Sequence, residues 1–266
     1  MKTRAITGLL FIAVLIVAVL LGPYTFVLLF SLIAACAVYE FYRMVQSENT
    51  KPFLYLATGV AAVGLGLTSL VLLDLLPDTI LPFGIIGILL CYIMALFRKT
   101  ASPIQDLAYS LFGLLYAVIP FIFFMSLGFF GDTYNAFIPL GFLILLWTND
   151  TGAYLAGKSL GKHKLFVRIS PNKTWEGFVG GVLLAIIAGF ILSTYFGIFP
   201  SWIWILMAVI IGVFGTMGDL VESLLKRNVG VKDSGNVLPG HGGLLDRFDG
   251  LLIAAPLVYL FLKSLG

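Results

Sequence analysis

The sequence predicts an all-α fold, a polytopic integral membrane protein with about nine transmembrane helices. Three observations predict it: a composition suited to lipid, apolar runs of crossing length, and basic residues gathered on one side. A soluble domain is about a quarter charged and about half apolar or less, whereas this chain of 266 residues is 11% charged and 60% hydrophobic, with a mean hydropathy of +1.07. Runs of about 17–25 apolar residues each suffice to cross a hydrocarbon layer of roughly 30 Å as a helix. Helices are required there because lipid satisfies no backbone polar group. Membrane lipids are the expected surroundings, and no nucleic-acid partner is expected.

In order, the runs cover residues 5–21, 24–40, 53–73, 80–97, 107–128, 136–156, 177–196, 201–222 and 250–265. The first follows Lys2 and Arg4; it lacks a clear small-residue cleavage site and leads almost directly into the second, which argues against a signal peptide. Gly22-Pro23 divides the first two runs, Pro52 precedes the third, Pro77 and Pro82 bracket the start of the fourth, and Pro200 precedes the eighth. With a cytoplasmic N-terminus, the cytoplasmic loops hold Arg43, Lys51, Arg98, Lys99, Lys158, Lys162, Lys164, Arg168, Lys173, Lys226, Arg227, Lys232 and Arg247. The opposite loops hold Asp74, Asp78 and Asp132, and only Lys263 falls outside the pattern. That is the positive-inside bias expected of an odd number of spans in the cell (inner) membrane. The chain divides into N-terminal helices, 1–135, and a C-terminal region, 136–266, with polar loops on the cytoplasmic face, where any catalytic residues are expected. Cys36 and Cys91 sit inside apolar runs, far from other ligands, and offer neither a disulfide framework nor a zinc site.

Two long polar insertions fall on that face. The first contains Asn149 and Asp150, then Gly157-Lys158 and Gly161-Lys162, then Ser170-Pro-Asn-Lys-Thr-Trp-Glu-Gly177. Lysine beside glycine suits phosphate, because glycine lets backbone N–H groups approach an anion while the ammonium supplies charge. Either Ser170, with Pro171 behind it, or Thr174, three residues before Gly177, begins the seventh helix and aims its N-terminal dipole at an anion. The plainer alternative makes these lysines topology determinants that meet anionic headgroups. Asp150, near the end of an apolar run, is costly without a partner or a task; an inert pairing with a loop lysine is the alternative.

The second insertion places Asp219, Glu222, Ser223, Lys226 and Arg227 at helical spacings of three, four and seven, on one shared face. Lys232-Asp233, Pro239-Gly-His-Gly-Gly243, Asp246-Arg247 and Asp249 follow. Asp246 and Asp249 are three apart and present two carboxylates to one point. Carboxylates converging from two helix ends, with little His and no useful Cys, favour a hard cation such as Mg²⁺ over zinc. An ion-pair network among Asp219, Glu222, Lys226, Arg227, Asp246 and Arg247 is the structural alternative, although it does not call for the Pro-Gly-His-Gly-Gly loop.

These residues resemble the phosphatidate cytidylyltransferases, also called CDP-diacylglycerol synthases. That family's pattern is matched by Ser223, Lys226-Arg227, Lys232-Asp233, Pro239-Gly240-His241-Gly242-Gly243, Asp246-Arg247 and Asp249, and the stretch from Ser170 to Gly177 is similar too. The likeness in motifs covers the C-terminal half. It implies that CTP and phosphatidate give CDP-diacylglycerol and pyrophosphate, with Mg²⁺ as cofactor and a second cation left open. The expected catalytic residues are Asp219, Asp246, Lys226, Arg227 and His241, with Asp219, Asp246 and Asp249 holding the metal. Asn149, Asp150, Lys173, Ser223, Lys232, Asp233, Gly242, Gly243 and Arg247 are expected to bind substrate. A homodimer is left open. A CDP-alcohol phosphotransferase is disfavoured because Asp249-Gly250 is followed by Leu-Leu-Ile-Ala instead of that class's Ala-Arg ending. A CTP-dependent lipid kinase would release CDP, and a transporter would be expected to break its helices near the midplane.

Overall fold

The computed structural model describes residues 2–131, 133–235 and 242–265. Helices dominate: α1 Lys2–Leu20, α2 Pro23–Val45, α3 Leu54–Leu72, α4 Ile85–Leu96, α5 Pro103–Gly113, α6 Ile119–Leu127, α7 Phe137–Leu160, α8 Trp175–Phe196, α9 Ser201–Asn228 and α10 Leu245–Lys263. A 3₁₀ segment, Asp78–Gly84, leads into α4, and a π-helical segment, Leu114–Val118, joins α5 to α6. Pro120 explains the π segment, since proline cannot donate a backbone bond and its ring crowds the carbonyl four residues back, here that of Tyr116.

Each predicted apolar run lies on helix. Among the described residues, six stretches are long and apolar enough to cross a membrane: Pro23–Val45, Leu54–Leu72, Asp78–Leu96, Pro103–Leu127, Trp175–Phe196 and Ser201–Asn228. The count of about nine is therefore not reached on length and composition. In α1 the described residues of the apolar stretch, Thr7–Leu20, are fewer, and α7 and α10 carry Asn149, Asp150, Asp246, Arg247 and Asp249 within the helix itself.

An all-α fold needs one correction. Residues 164–174 form a small antiparallel hairpin, β1 Lys164–Phe166 with β2 Ser170–Thr174, pairing Lys164 with Thr174 and Phe166 with Ser170. Thr174 then starts α8, its hydroxyl accepting the Gly177 N–H at 3.2 Å, which resolves the choice between Ser170 and Thr174. A second difference concerns Gly157-Lys158, which lie on the last helical turn of α7 rather than in a loop.

The helices that carry the polar insertions pack unusually close because glycine lines their contacts. A Cβ on Gly181 would lie 2.7 Å from the Asn149 carbonyl oxygen, and one on Gly177 would lie 2.8 Å from that of Ala153, so α7 and α8 touch backbone to backbone. A Cβ on Gly218 would collide with the Asp249 carbonyl, so α9 meets α10 in the same way. Beneath these contacts lies an aromatic core, with Phe30 and Phe124 centroids 4.8 Å apart and Phe121 and Phe248 centroids 5.2 Å apart. Phe248 is buried in that core and sits between Asp246 and Asp249 in sequence. Its packing fixes the rotation of α10 and turns both carboxylates away from the core.

Candidate active site

The hairpin brings the first insertion to the second. Glu176, in the first turn of α8, accepts the N–H groups of Lys162 and His163 and lies 2.6 Å from His163 Nδ1, closing the base of the hairpin. On β2, Lys173 reaches α9, with Nζ 2.6 Å from Asp219 Oδ2. Around this bridge lies a cavity of about 380 Å³, lined by Asp150, Tyr154, Lys158, Asn172, Lys173, Thr174, Thr216 and Asp219 among others. The Lys158 ammonium lies 5.8 Å from the centroid of the Tyr154 ring.

On the other side of Asp150 and Asp219 is a second cavity of similar volume, about 380 Å³. Asp150, Asp219, Asp246, Arg247, Asp249 and Trp147 line it together with Thr7, Gly8, Phe11 and Ile12 of α1. Carboxylates from α7, α9 and α10 thus face one space; the sequence expectation covered Asp219, Asp246 and Asp249, and Asp150 joins them from α7. Ile12 both lines this cavity and is 40% exposed, so the cavity borders the apolar outer surface of the helix bundle.

Asp246 is the most tightly held of these acids. Its Oδ1 accepts Lys226 Nζ at 2.6 Å, and the same ammonium lies 2.6 Å from Glu222 Oε2. Its Oδ2 accepts the N–H of Ser234 at 2.9 Å, the Ser234 hydroxyl at 3.0 Å and the N–H of Gly243 at 2.8 Å. Burial pushes its carboxyl up, but the Lys226 ammonium and the two backbone donors outweigh burial and hold it below the ordinary carboxylate value. Gly242 takes φ of 80°, where a side chain would be strained and a Cβ would lie 2.7 Å from Asp246 Oδ2.

Other expected residues sit outside this centre. Ser223 donates to Asp219 Oδ1 at 3.2 Å and so supports it from behind. Arg227 lies at the edge of the α9 face; its guanidinium is exposed and donates to the Val231 carbonyl at 3.1 Å. Lys232 and Asp233 are exposed on the following loop. Asn149 is buried against α8 and α9, near Gly181 and Gly212, and lines neither cavity. His241 lies outside the described residues. Two residues that sequence reasoning passed over are Ser234, directly after Lys232-Asp233, and Glu40, which bonds to Ser234 and Leu245. Glu40 did leave a signal, because a carboxylate at the end of an apolar run needs a partner or a task.

The donor set fits a hard divalent cation in type: oxygen ligands from aspartates around one cavity, with no thiolate or imidazole lining it among the described residues. Among the described residues, no three of these side chains are drawn together as a finished cage. Lys173 and Lys226 hold Asp219 and Asp246 instead, which is how carboxylates facing one space are stabilised by protein cations alone.

The sequence profile of the cytidylyltransferase family matches residues 2–265. Among curated proteins, the phosphatidate cytidylyltransferase of Staphylococcus aureus (strain COL) is 37% identical over 274 residues, covering 98% of this chain and 99% of that protein. The phosphatidate cytidylyltransferase of Bacillus subtilis (strain 168) is 35% identical over 273 residues, covering 98% of this chain and 97% of that one.

Proposed function

The chain belongs to the cytidylyltransferase family, and from that premise we propose how its residues carry out phosphatidate cytidylyltransfer, the condensation of CTP with phosphatidate to CDP-diacylglycerol and pyrophosphate. One observation carries the reading: aspartates from α7, α9 and α10 line a single cavity that α1 closes on its apolar side.

A phosphate monoester is already anionic and nucleophilic, so no Ser-His pair is needed to activate it. The difficulty is to bring its charge against a triphosphate, which positioning and cations overcome. An oxygen of the phosphatidate phosphate attacks the α-phosphorus of CTP; the new O–P bond forms as the bond to the bridging oxygen breaks, and pyrophosphate leaves with that electron pair. Asp219, Asp246 and Asp249 would hold Mg²⁺, which neutralises charge on the transferring phosphoryl group.

The two cavities that meet at Asp150 and Asp219 divide the substrates by solubility. The triphosphate lies against the hairpin, where Lys158, Lys173 and the Thr174 cap at the start of α8 offer charge and N–H donors. The lipid phosphate lies against α1, beside Arg247, where acyl chains remain in the bilayer. Lys173 leaves Asp219 for phosphate as substrate binds, freeing the carboxylate. Lys226 stays with Glu222 and Asp246 and positions them. The helices place this protein in a membrane; we assign it to the inner membrane, with all nine helical runs crossing and the site facing the cytoplasm.

The purified protein, given CTP labelled at the α-phosphate, phosphatidate and Mg²⁺, is expected to move label into lipid and release pyrophosphate in equal amounts. Release of CDP in place of pyrophosphate would assign the reaction to a lipid kinase and refute this reading.

A further inference from the structure

Glu40 lies on α2 in the N-terminal half and is only 4% exposed. Its Oε2 accepts the Leu245 N–H at 3.0 Å and lies 3.2 Å from the Ser234 hydroxyl oxygen. Leu245 is the first residue of α10, and the opening N–H groups of a helix have no partner within it. Glu40 therefore caps α10 from a different helix, and its charge suits the positive end of that dipole. The Ser234 hydroxyl that reaches Glu40 also lies 3.0 Å from Asp246 Oδ2. Only one hydroxyl separates Glu40 from the central carboxylate of the site.

The backbone around it is shaped to admit this side chain. A Cβ on Gly235 would collide with Glu40 Oε1, and one on Gly243 would collide with Glu40 Oε2 and Ser234 Oγ. Both glycines belong to the segment that cradles Asp246, and both are small where Glu40 approaches. The hydrogen bonds and the steric fit are separate observations that lead to the same residue.

We propose that Glu40 is a positioning residue for cytidylyl transfer, tying the Ser234 and Gly243 segments and the first turn of α10 to the N-terminal helices so that Asp246 faces the cavity. The proposal rests on the assignment of Asp246 made above. It gives the N-terminal helices a part in the chemistry, although they contribute none of the signature motif.

The test compares wild type with Glu40→Ala, Glu40→Gln, Gly235→Ala and Asp246→Asn, with kcat and both KM values measured per folded molecule in detergent. Displacing a catalytic group by about 1 Å costs on the order of 100-fold. Glu40→Ala is therefore expected to lose about 100-fold in kcat while both KM values stay within about threefold. Glu40→Gln keeps an acceptor for Leu245 and Ser234 and is expected to stay within about fivefold of wild type. Amide exchange at Gly243–Asp246 is expected to accelerate in Glu40→Ala and not in Glu40→Gln, a readout independent of turnover. Gly235→Ala, which displaces the carboxylate, is expected to lower kcat alone and to add nothing to Glu40→Ala.

Unchanged kcat per folded molecule in Glu40→Ala, or a Glu40→Gln variant as inactive as Glu40→Ala, overturns the proposal. If Glu40→Ala does not fold, an unchanged kcat in folded Gly235→Ala overturns it instead. Asp246→Asn separates the two claims: full turnover there refutes the site assignment itself, whereas lost turnover there beside a normal Glu40→Ala refutes only the role of Glu40.

Discussion

Replacing Lys226 by methionine removes one ammonium that lies 2.6 Å from each of two buried carboxylates. The side chains of Glu222 and Asp246 are 0% and 8% exposed, so water does little to take over from the lost cation. Breaking a buried pair by removing one partner costs roughly 3–5 kcal/mol, because the remaining charge stays desolvated. At roughly 2–4 °C per kcal/mol for a chain of this size, the apparent melting temperature in detergent should fall by about 6–20 °C. Glu222 makes the prediction sharper. Its Oε1 is buried without a hydrogen-bond partner among the described residues, so Glu222→Gln gives up one charge and leaves Lys226 paired with Asp246. Lys226→Met combined with Glu222→Gln should then recover about half of the loss or more, the sign of a coupled pair. The assay is thermal unfolding followed by size exclusion at fixed detergent and lipid. A Lys226→Met protein that melts within about 2 °C of wild type, or a double variant no better than the single one, would refute the burial argument.

Further outcomes follow from the same geometry. Asp219→Asn should reduce CTP-dependent turnover by about 10³-fold or more, several kcal/mol of charge stabilisation, while the folded protein survives in detergent; radiolabelled product per folded molecule checks this. Gly181→Leu inserts a side chain where a Cβ already lies 2.7 Å from the Asn149 carbonyl, and should cost about 1–3 kcal/mol or more by prising α7 from α8, read as a lower melting temperature. The Asp246 carboxyl is held below its ordinary value of about 3.9. Its contribution to stability is therefore full above that value and lost as pH falls through the lower folded one, so a melting curve taken from pH 7 down to 3 should fall at its acid end and do so less in Asp246→Asn. Lys173→Met should raise the KM for CTP more than that for phosphatidate, because Lys173 lines only the hairpin cavity of the two; substrate titrations separate them.

The sequence made the helices legible because lipid leaves no alternative for an apolar run, and every such run lies on helix. It was a poorer guide to which runs cross. In α7 and α10 the site residues ride on the helices themselves, so their polarity counts against a span while serving the site. The hairpin at 164–174 was not legible, since two strands of three and five residues leave no period to read. Spacing correctly gathered Asp219, Glu222, Ser223 and Lys226, each a turn apart, and brought Asp246 and Asp249 to one cavity. It overreached at Arg227, because eight residues from Asp219 a helix has turned away and the guanidinium finds the Val231 carbonyl. Lys226 was read as phosphate charge, yet its partners are Glu222, one turn back on α9, and Asp246, across on α10, which is the ion-pair alternative that the sequence offered. Glu40 showed only that it needed a partner, and nothing in the linear order joined it to Ser234. Their meaning comes from a contact spanning 194 positions in sequence.

The most direct test is anomalous diffraction from crystals grown with Mn²⁺ in place of Mg²⁺ and a non-hydrolysable CTP analogue. A peak about 2.0–2.3 Å from carboxylate oxygens of both Asp219 and Asp246, touching the triphosphate, is the expected result. A peak bound to neither aspartate, with the nucleotide in place, would contradict the account.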